Sequence, residues 1–267
     1  MRAIQWRNRL GRVSVTTLAA ILSTGPLQPS MASNPGRPTS TPISHLIVIV
    51  GENHTFDNVF ATYQPKSGQS IANLLSKGIV DAQGNPGPNF NQAAQNQATD
   101  TTTYSISPTP AGPYSALPQP NTTYAFGQTQ NVADTRFPAD LPNGPFQLTR
   151  YTPFQLSFTG DPVHRFFQMW QQVDEGKMDL FVWVAETAGT GPQNFPPAPT
   201  PGSTFQGGLA MGFFNVSGGD APVLKFIADN YAMSDNYHQG VMGGTGANFI
   251  YSAQETSASS ATDTAIL

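Results

Sequence analysis

Ile43-Ser-His-Leu-Ile-Val-Ile-Val-Gly-Glu-Asn-His-Thr-Phe-Asp57 is the stretch on which the fold turns. Leu46 to Val50 is a short apolar run in which four of the five residues are β-branched. Such a run predicts a strand buried on both faces, as in the middle of a parallel sheet. Gly51 ends it, which places Glu52 and Asn53 at the strand's carboxyl end, where open α/β sheets hold their ligands. Thr55 to Phe60 reads as a helix start, with Thr55 as cap and Asp57 and Asn58 in the first turn. A carboxylate and an amide side by side at a strand tip both offer oxygen to one hard cation. On its own the stretch is equally a buried strand followed by a polar turn.

Outward from it, composition sets the frame. Of 267 residues only 10% are charged, against about a quarter in ordinary globular chains. With 25 glycines and 24 prolines, much of the chain is loop. The net charge of −4 gives no general attraction to nucleic acid or to an anionic membrane. There is no cysteine, which excludes disulfides, thiol catalysis and cysteine-type zinc sites. A metal here needs carboxylates, amides, hydroxyls or the 4 histidines.

Residues 1–32 have the tripartite pattern of a secretory signal. Arg2, Arg7, Arg9 and Arg12 form a positive region, Val13 to Leu22 is apolar but too short to span a bilayer, and Ser30-Met-Ala32 offers a small-residue cleavage site before Ser33. No two arginines are adjacent, which favours Sec-type over twin-arginine export. The expected location is secreted or periplasmic. Residues 33–42, with Gly36, Pro35 and Pro38, read as a flexible linker. Residues 61–160 read as a loop-rich insertion, with a short helical pattern at Ile71–Lys77. A structureless loop of that length is uncommon inside a domain, so it is expected to be ordered by its aromatics, among them Phe90, Tyr114, Phe137 and Phe146. These rings either pack a core or line a substrate pocket.

Asp161-Pro162-Val-His164 reads as a capped helix start, with Phe166, Phe167, Trp170 and Val173 at helical spacing and Gly176 as the stop. Leu180 to Val184 is expected as a second strand. Leu209 to Phe214 reads as a short strand or turn. Asp220 to Ala232 reads as a capped helix with Val223, Phe226 and Ile227 facing inward. Gly240-Val-Met-Gly-Gly-Thr-Gly-Ala-Asn-Phe-Ile-Tyr251 carries chemistry: two glycines ahead of Thr245 allow close backbone approach to an anion, and a helix begun here puts Thr245 at a phosphate-favouring N-terminus.

Three of these segments, in order along the chain, resemble motifs of the secreted bacterial phosphoesterase family, which contains phosphatidylcholine-type phospholipases C and a group of acid phosphatases. Gly51-Glu-Asn-His-Thr-Phe-Asp-Asn-Val-Phe60, behind Ser44-His45, resembles its opening signature, with His54-Thr55 in place of Arg-Ser. Asp161, Pro162, His164, Gly176, Lys177, Met178, Asp179, Phe181 and Val182 match its second segment. Asp235, Tyr237, Gly243, Thr245 and Asn248 match the third, where Gly244 and Ala247 replace prolines and Phe249 replaces an arginine. The missing arginine removes a fork for phosphate.

The resemblance implies that Glu52 and Asn53 bind a divalent metal cation of unknown identity, that Thr245 joins them as ligand and is the nucleophile, and that His164 and Asn248 contact substrate. His164 is equally placed for a structural role in a helix's first turn. The implied reaction is metal-assisted hydrolysis of a phosphate ester or phospholipid through a phosphothreonine intermediate, the cation lowering the pKa of a hydroxyl that is otherwise a poor nucleophile. The implied fold is α/β: an alkaline-phosphatase-like sandwich, a mixed, mostly parallel sheet flanked by helices, over residues 43–252. The family's C-terminal part supplies an adjacent Asp-Asp pair that this sequence lacks, and residues 253–267 read as a disordered tail. The expectation is therefore a C-terminally truncated member with an incomplete sheet. An inactive remnant of the family and a secreted ligand-binding protein are the alternatives. No membrane span and no nucleic-acid partner are expected, and oligomeric state is not legible.

Overall fold

The computed structural model describes residues 42–43, 45–51, 54–99, 107–120, 133–156, 164–187 and 207–257, the last six of these as helical backbone only. Contacts divide the chain into two units, Met1–Ile49 and Val50–Leu267. In the first, the described residues are extended or irregular and form no regular element. The second holds five α-helices and four short strands among its described residues: α1 (Phe56–Phe60), β1 (Asn96–Thr99), β2 (Thr109–Pro113), β3 (Phe146–Gln147), α2 (Phe166–Val173), α3 (Phe181–Thr187), β4 (Gly212–Phe213), α4 (Pro222–Asn230) and α5 (Thr245–Ser257). These are mixed helices and small sheets of α/β type. β1 and β2 pair antiparallel with a bulge between Gln97 and Ala98, and β3 and β4 pair parallel.

Two expected strands are corrected. Leu46–Val50 is not a strand: its side chains are exposed, from 51% at Val50 to 85% at Ile47. A strand needs a partner for its N–H and C=O groups, and no described residue pairs with this run. Leu180–Val184 is not a strand either, because Phe181–Thr187 forms α3. Every residue from Val182 to Thr187 is buried, so the helix is covered on all sides and shows no amphipathic period. A short apolar run of this kind looks the same in a buried strand and a buried helix. The Val184 N–H donates to Leu180 O (3.0 Å) and the Thr187 hydroxyl to Trp183 O (2.7 Å), which fixes the helical choice.

The helix starts follow local capping chemistry. The Thr55 side chain accepts from the Asn58 N–H at 3.2 Å and caps α1 as expected. The expected cap and first turn at Asp161–Pro162 lie outside the described residues, and α2 begins at Phe166. α2 ends where Asp174 and Glu175 take left-handed backbone, just ahead of Gly176. α4 starts on Pro222, but Asp220 does not cap it: that carboxylate accepts from the Asn215 N–H (2.7 Å) and the Thr149 hydroxyl (2.6 Å). Val223 and Phe226 face solvent, which corrects their expected inward orientation. Ile71–Lys77 forms turns, because Asn73 and Ser76 bond one another's backbone and compete with a helix.

The 61–160 segment is ordered by packing in its described parts. Phe137 and Phe146 are buried with Leu117, Leu141, Leu148, Val182, Leu209 and Phe214, and Tyr114 and Tyr151 pack against them. Phe137 meets Phe146 edge-on at 6.0 Å and Tyr151 at 5.3 Å. Tyr104, Tyr124 and Phe126 lie outside the described residues. α3 bridges two clusters: Val182 enters this one, while Leu180, Trp183 and Val184 pack with Ala98 of β1. Residues 253–257, expected as disordered tail, continue the backbone of α5, and residues 258–267 lie outside the described residues.

Candidate active site

α5 begins at Thr245, behind Gly243 and Gly244. Thr245 is exposed, at the end of a 13-residue helix whose first N–H groups and dipole favour an anion. The turn ahead of it is held by Asn248. Its Oδ1 accepts from the Val241 N–H (3.2 Å), and its Nδ2 donates to Gly243 O (3.1 Å) and Gly244 O (3.4 Å). The amide expected to meet substrate is thus engaged with the loop that carries the hydroxyl, and positions it. One turn further along α5, the Tyr251 ring lies against Gly240, where a Cβ would sit 2.1 Å from the ring. Only glycine leaves room for that ring.

His164 stands beside the same loop. A Cβ built on Gly244 would lie 3.6 Å from His164 Cδ2 and 3.7 Å from Nε2. The structure therefore brings the His164 imidazole next to the residue preceding Thr245, and gathers His164, Thr245 and Asn248 in one place although 81 residues separate the first two in sequence.

Glu52 and Asn53 lie outside the described residues. The segment that follows them is anchored: Asn58 Nδ2 donates to Gly212 O (2.7 Å) and the Phe214 N–H donates to Asn58 O (2.8 Å), tying α1 to β4. His54 is in hydrogen-bond contact with Asn58 Oδ1 and meets Phe214 edge-on. Among the described residues no group of three His, Asp or Glu side chains could hold a metal ion. Of the three expected ligands only Thr245 is described. The described donors therefore do not by themselves fit a cation.

Asp57 and Asp235, both in or beside the matched motifs, do structural work. Asp57 Oδ1 accepts from the Leu74 N–H (3.1 Å), and burial pushes its carboxyl up from the ordinary range. Asp235 Oδ2 accepts from the Ala72 N–H (2.6 Å). Together they staple the 72–74 turn to two distant parts of the chain. The role of Asn248 as a latch had one sequence signal, an asparagine in the first turn of a helix behind two glycines. Its partners, three backbone groups of the preceding turn, are set only once the loop folds back.

Thr245 thus stands at a helix N-terminus behind a glycine turn, with the His164 imidazole beside the adjoining Gly244. The chain belongs to the Phosphoesterase family, whose model matches residues 43–265. Membership points to hydrolysis of phosphate esters, and so to a phosphate-ester substrate. No curated protein and no solved structure matches the chain. Among the described residues no helix is long and apolar enough to cross a membrane.

Proposed function

We propose that this chain hydrolyses phosphate esters of the phospholipase C or acid phosphatase type, with Thr245 as nucleophile. The observation that carries the reading is the placement of Thr245 at the start of α5 with His164 against the adjoining Gly244. A phosphoryl group there meets helix N–H donors on one side and an imidazole on the other. Attack by Thr245 Oγ on phosphorus expels the alcohol and leaves a phosphothreonine, which water then clears. His164 is proposed as the group that contacts substrate, and Asn248 as a positioning residue.

Cation dependence belongs to the proposal on sequence grounds, with Glu52, Asn53 and Thr245 as its ligands. A bound cation would supply charge neutralisation on the phosphate oxygens. The parent architecture proposed is the alkaline-phosphatase-like sandwich, and the proposed route is Sec-type export directed by residues 1–32. A second reading, a family member without turnover, is favoured by one observation: the run ahead of Glu52 and Asn53 is exposed and not a buried strand. A pair of ligands on such a run lacks the rigid support that precise coordination needs.

The test is release of a chromogenic alcohol from its phosphate ester by the full chain, with added divalent metals, with chelator, and beside Thr245→Ala. Release that needs metal and is lost in the variant is expected. Equal rates for the chain and the variant would remove Thr245 from the chemistry, and no release under any condition would favour the second reading.

A further inference from the structure

Two acidic residues of the matched motifs take no part in the proposed chemistry, Asp57 of the first and Asp235 of the third, and both end on one turn. On the α1 side that turn is held at several points. The Leu74 N–H donates to Asp57 Oδ1 (3.1 Å) and the Leu75 N–H to Ala61 O (2.9 Å). Between them the buried Asn73 donates from Nδ2 to Phe60 O (2.8 Å) and Tyr63 O (2.9 Å). The 72–75 turn is therefore fixed to α1 and the residues just after it. On the other side stands Asp235, whose Oδ2 accepts from the Ala72 N–H at 2.6 Å, across 163 residues of chain. So short a bond to a carboxylate is of the stronger, charge-assisted kind.

α5 needs such a tie. None of its described side chains, Thr245 to Tyr251, is buried, so core packing does not set where its start stands. Its own bonds run to its approach: Asn248 to Val241, Gly243 and Gly244, and the Tyr251 ring against Gly240. Turn and helix thus form one latched body from 240 to 251. The His164 imidazole meets that body at Gly244. Asp235 lies five residues ahead of it, joined through residues 236–239, all exposed. We propose that Asp235 is a positioning residue for Thr245: its bond to the Ala72 N–H registers the third motif, and with it the start of α5, against α1 of the first. Its catalytic meaning rests on the reading of Thr245 as nucleophile, whereas the tie is a feature of the fold. A hydroxyl that attacks phosphorus tolerates little drift, since a misplacement of about an ångström costs up to about a hundredfold in rate.

The absence of cysteine lets two spin labels be placed without competing thiols. In the full chain, labels on Lys77→Cys and Phe249→Cys, both exposed positions, read the spacing between the turn and α5. With Asp235 intact a single narrow distance distribution is expected. Asp235→Ala, which removes the acceptor, should broaden it, and Asp235→Asn, which keeps an oxygen there, should bring most of the sharpness back. Release of the chromogenic alcohol by the unlabelled chain should follow the same order. Asp235→Ala should lower kcat about ten- to a hundredfold with KM within about twofold, and Asp235→Asn should recover most of the loss. The melting temperature should hardly move, because the bond lies at the surface. An unchanged distance distribution in Asp235→Ala overturns the proposal, whatever the rates. So does a kcat loss that Asp235→Asn does not recover, which gives the carboxylate's charge a direct part in the chemistry, and so does a rate loss explained by a lower melting temperature. If no form of the chain releases alcohol, the reading of Thr245 as nucleophile fails, and the distances alone decide whether Asp235 registers α5.

Discussion

Replacing Asn248 by alanine separates the latch from the ligand. The side chain makes two bonds of ordinary length, 3.1 Å to Gly243 O and 3.2 Å from Val241 N–H, and a longer one of 3.4 Å to Gly244 O that adds little. Two net bonds of about 0.5–1.5 kcal/mol each, discounted because the site is only half-buried, give a loss of about 1–2 kcal/mol in loop closure. Alanine returns roughly 0.6 kcal/mol to α5, since asparagine is a poor residue inside a helix. The two effects fall on different structures. The helix is expected to hold its far-ultraviolet signal, or gain slightly, while the 240–244 turn loosens. The Val241 amide loses its acceptor, and its hydrogen exchange should speed up about tenfold, the equivalent of about 1.4 kcal/mol. Turnover should fall at kcat, because Thr245 is less well held, with KM little changed. A raised KM with unchanged exchange at Val241 would refute this reasoning and return Asn248 to direct contact with substrate.

Three further outcomes follow from packing and charge. Gly208→Ala places a Cβ 2.1 Å from Pro118 O and 3.2 Å from the Pro120 ring, so urea unfolding should show a loss near the upper end of overpacking, about 3 kcal/mol. Gly246→Ala meets nothing within 4 Å, so it should stabilise α5 by up to about 1 kcal/mol while narrowing the approach to Thr245, read as a higher melting temperature with slower turnover. Glu186 is buried in α3 and accepts from the Gly207 N–H at 2.7 Å; burial raises its carboxyl above the ordinary 4.5, with that bond opposing. A raised acid holds its proton in the folded chain after the unfolded chain has lost it. Its stability contribution is therefore full below pH 4.5 and is lost as pH rises through the raised value. Glu186→Gln should flatten that slope in denaturation curves taken across the window, and an unchanged slope would assign it to another group.

What was legible in the sequence was local. The Thr55 cap acts over three residues, and the glycine turn before Thr245 acts within two, so both could be read without knowing the rest of the fold. The expectation that aromatics order the 61–160 segment also held for Phe137 and Phe146, because large rings seek burial wherever the chain takes them. The two strand expectations failed for opposite reasons. At Leu180–Val184 the surroundings bury every side, and residues out to Thr187 extend the run to helical length. At Leu46–Val50 the residues have the intrinsic preference for a strand, but a strand exists only with a partner, and none is present among the described residues.

The same distinction explains the site. Thr245 and His164 were singled out one at a time through the family resemblance, but their nearness is set by the fold, which brings the His164 imidazole within ordinary contact range of a Cβ at Gly244. Asn248 was expected to contact substrate because it matches the family's third motif. Its amide nitrogen donates to Gly243 and Gly244, and its oxygen accepts from Val241. A group so engaged gives substrate binding little and loop geometry much, since freeing it would leave backbone groups of the turn without their partner. The placement of Thr245, the proposed nucleophile, therefore rests on a neutral side chain three residues along its own helix. Substitutions at 248 that keep the size but lose the amide, such as leucine, should cost as much in turnover as alanine does. Glutamine, longer by one carbon, should restore little, because a shift of about an ångström is enough to misplace a reacting oxygen.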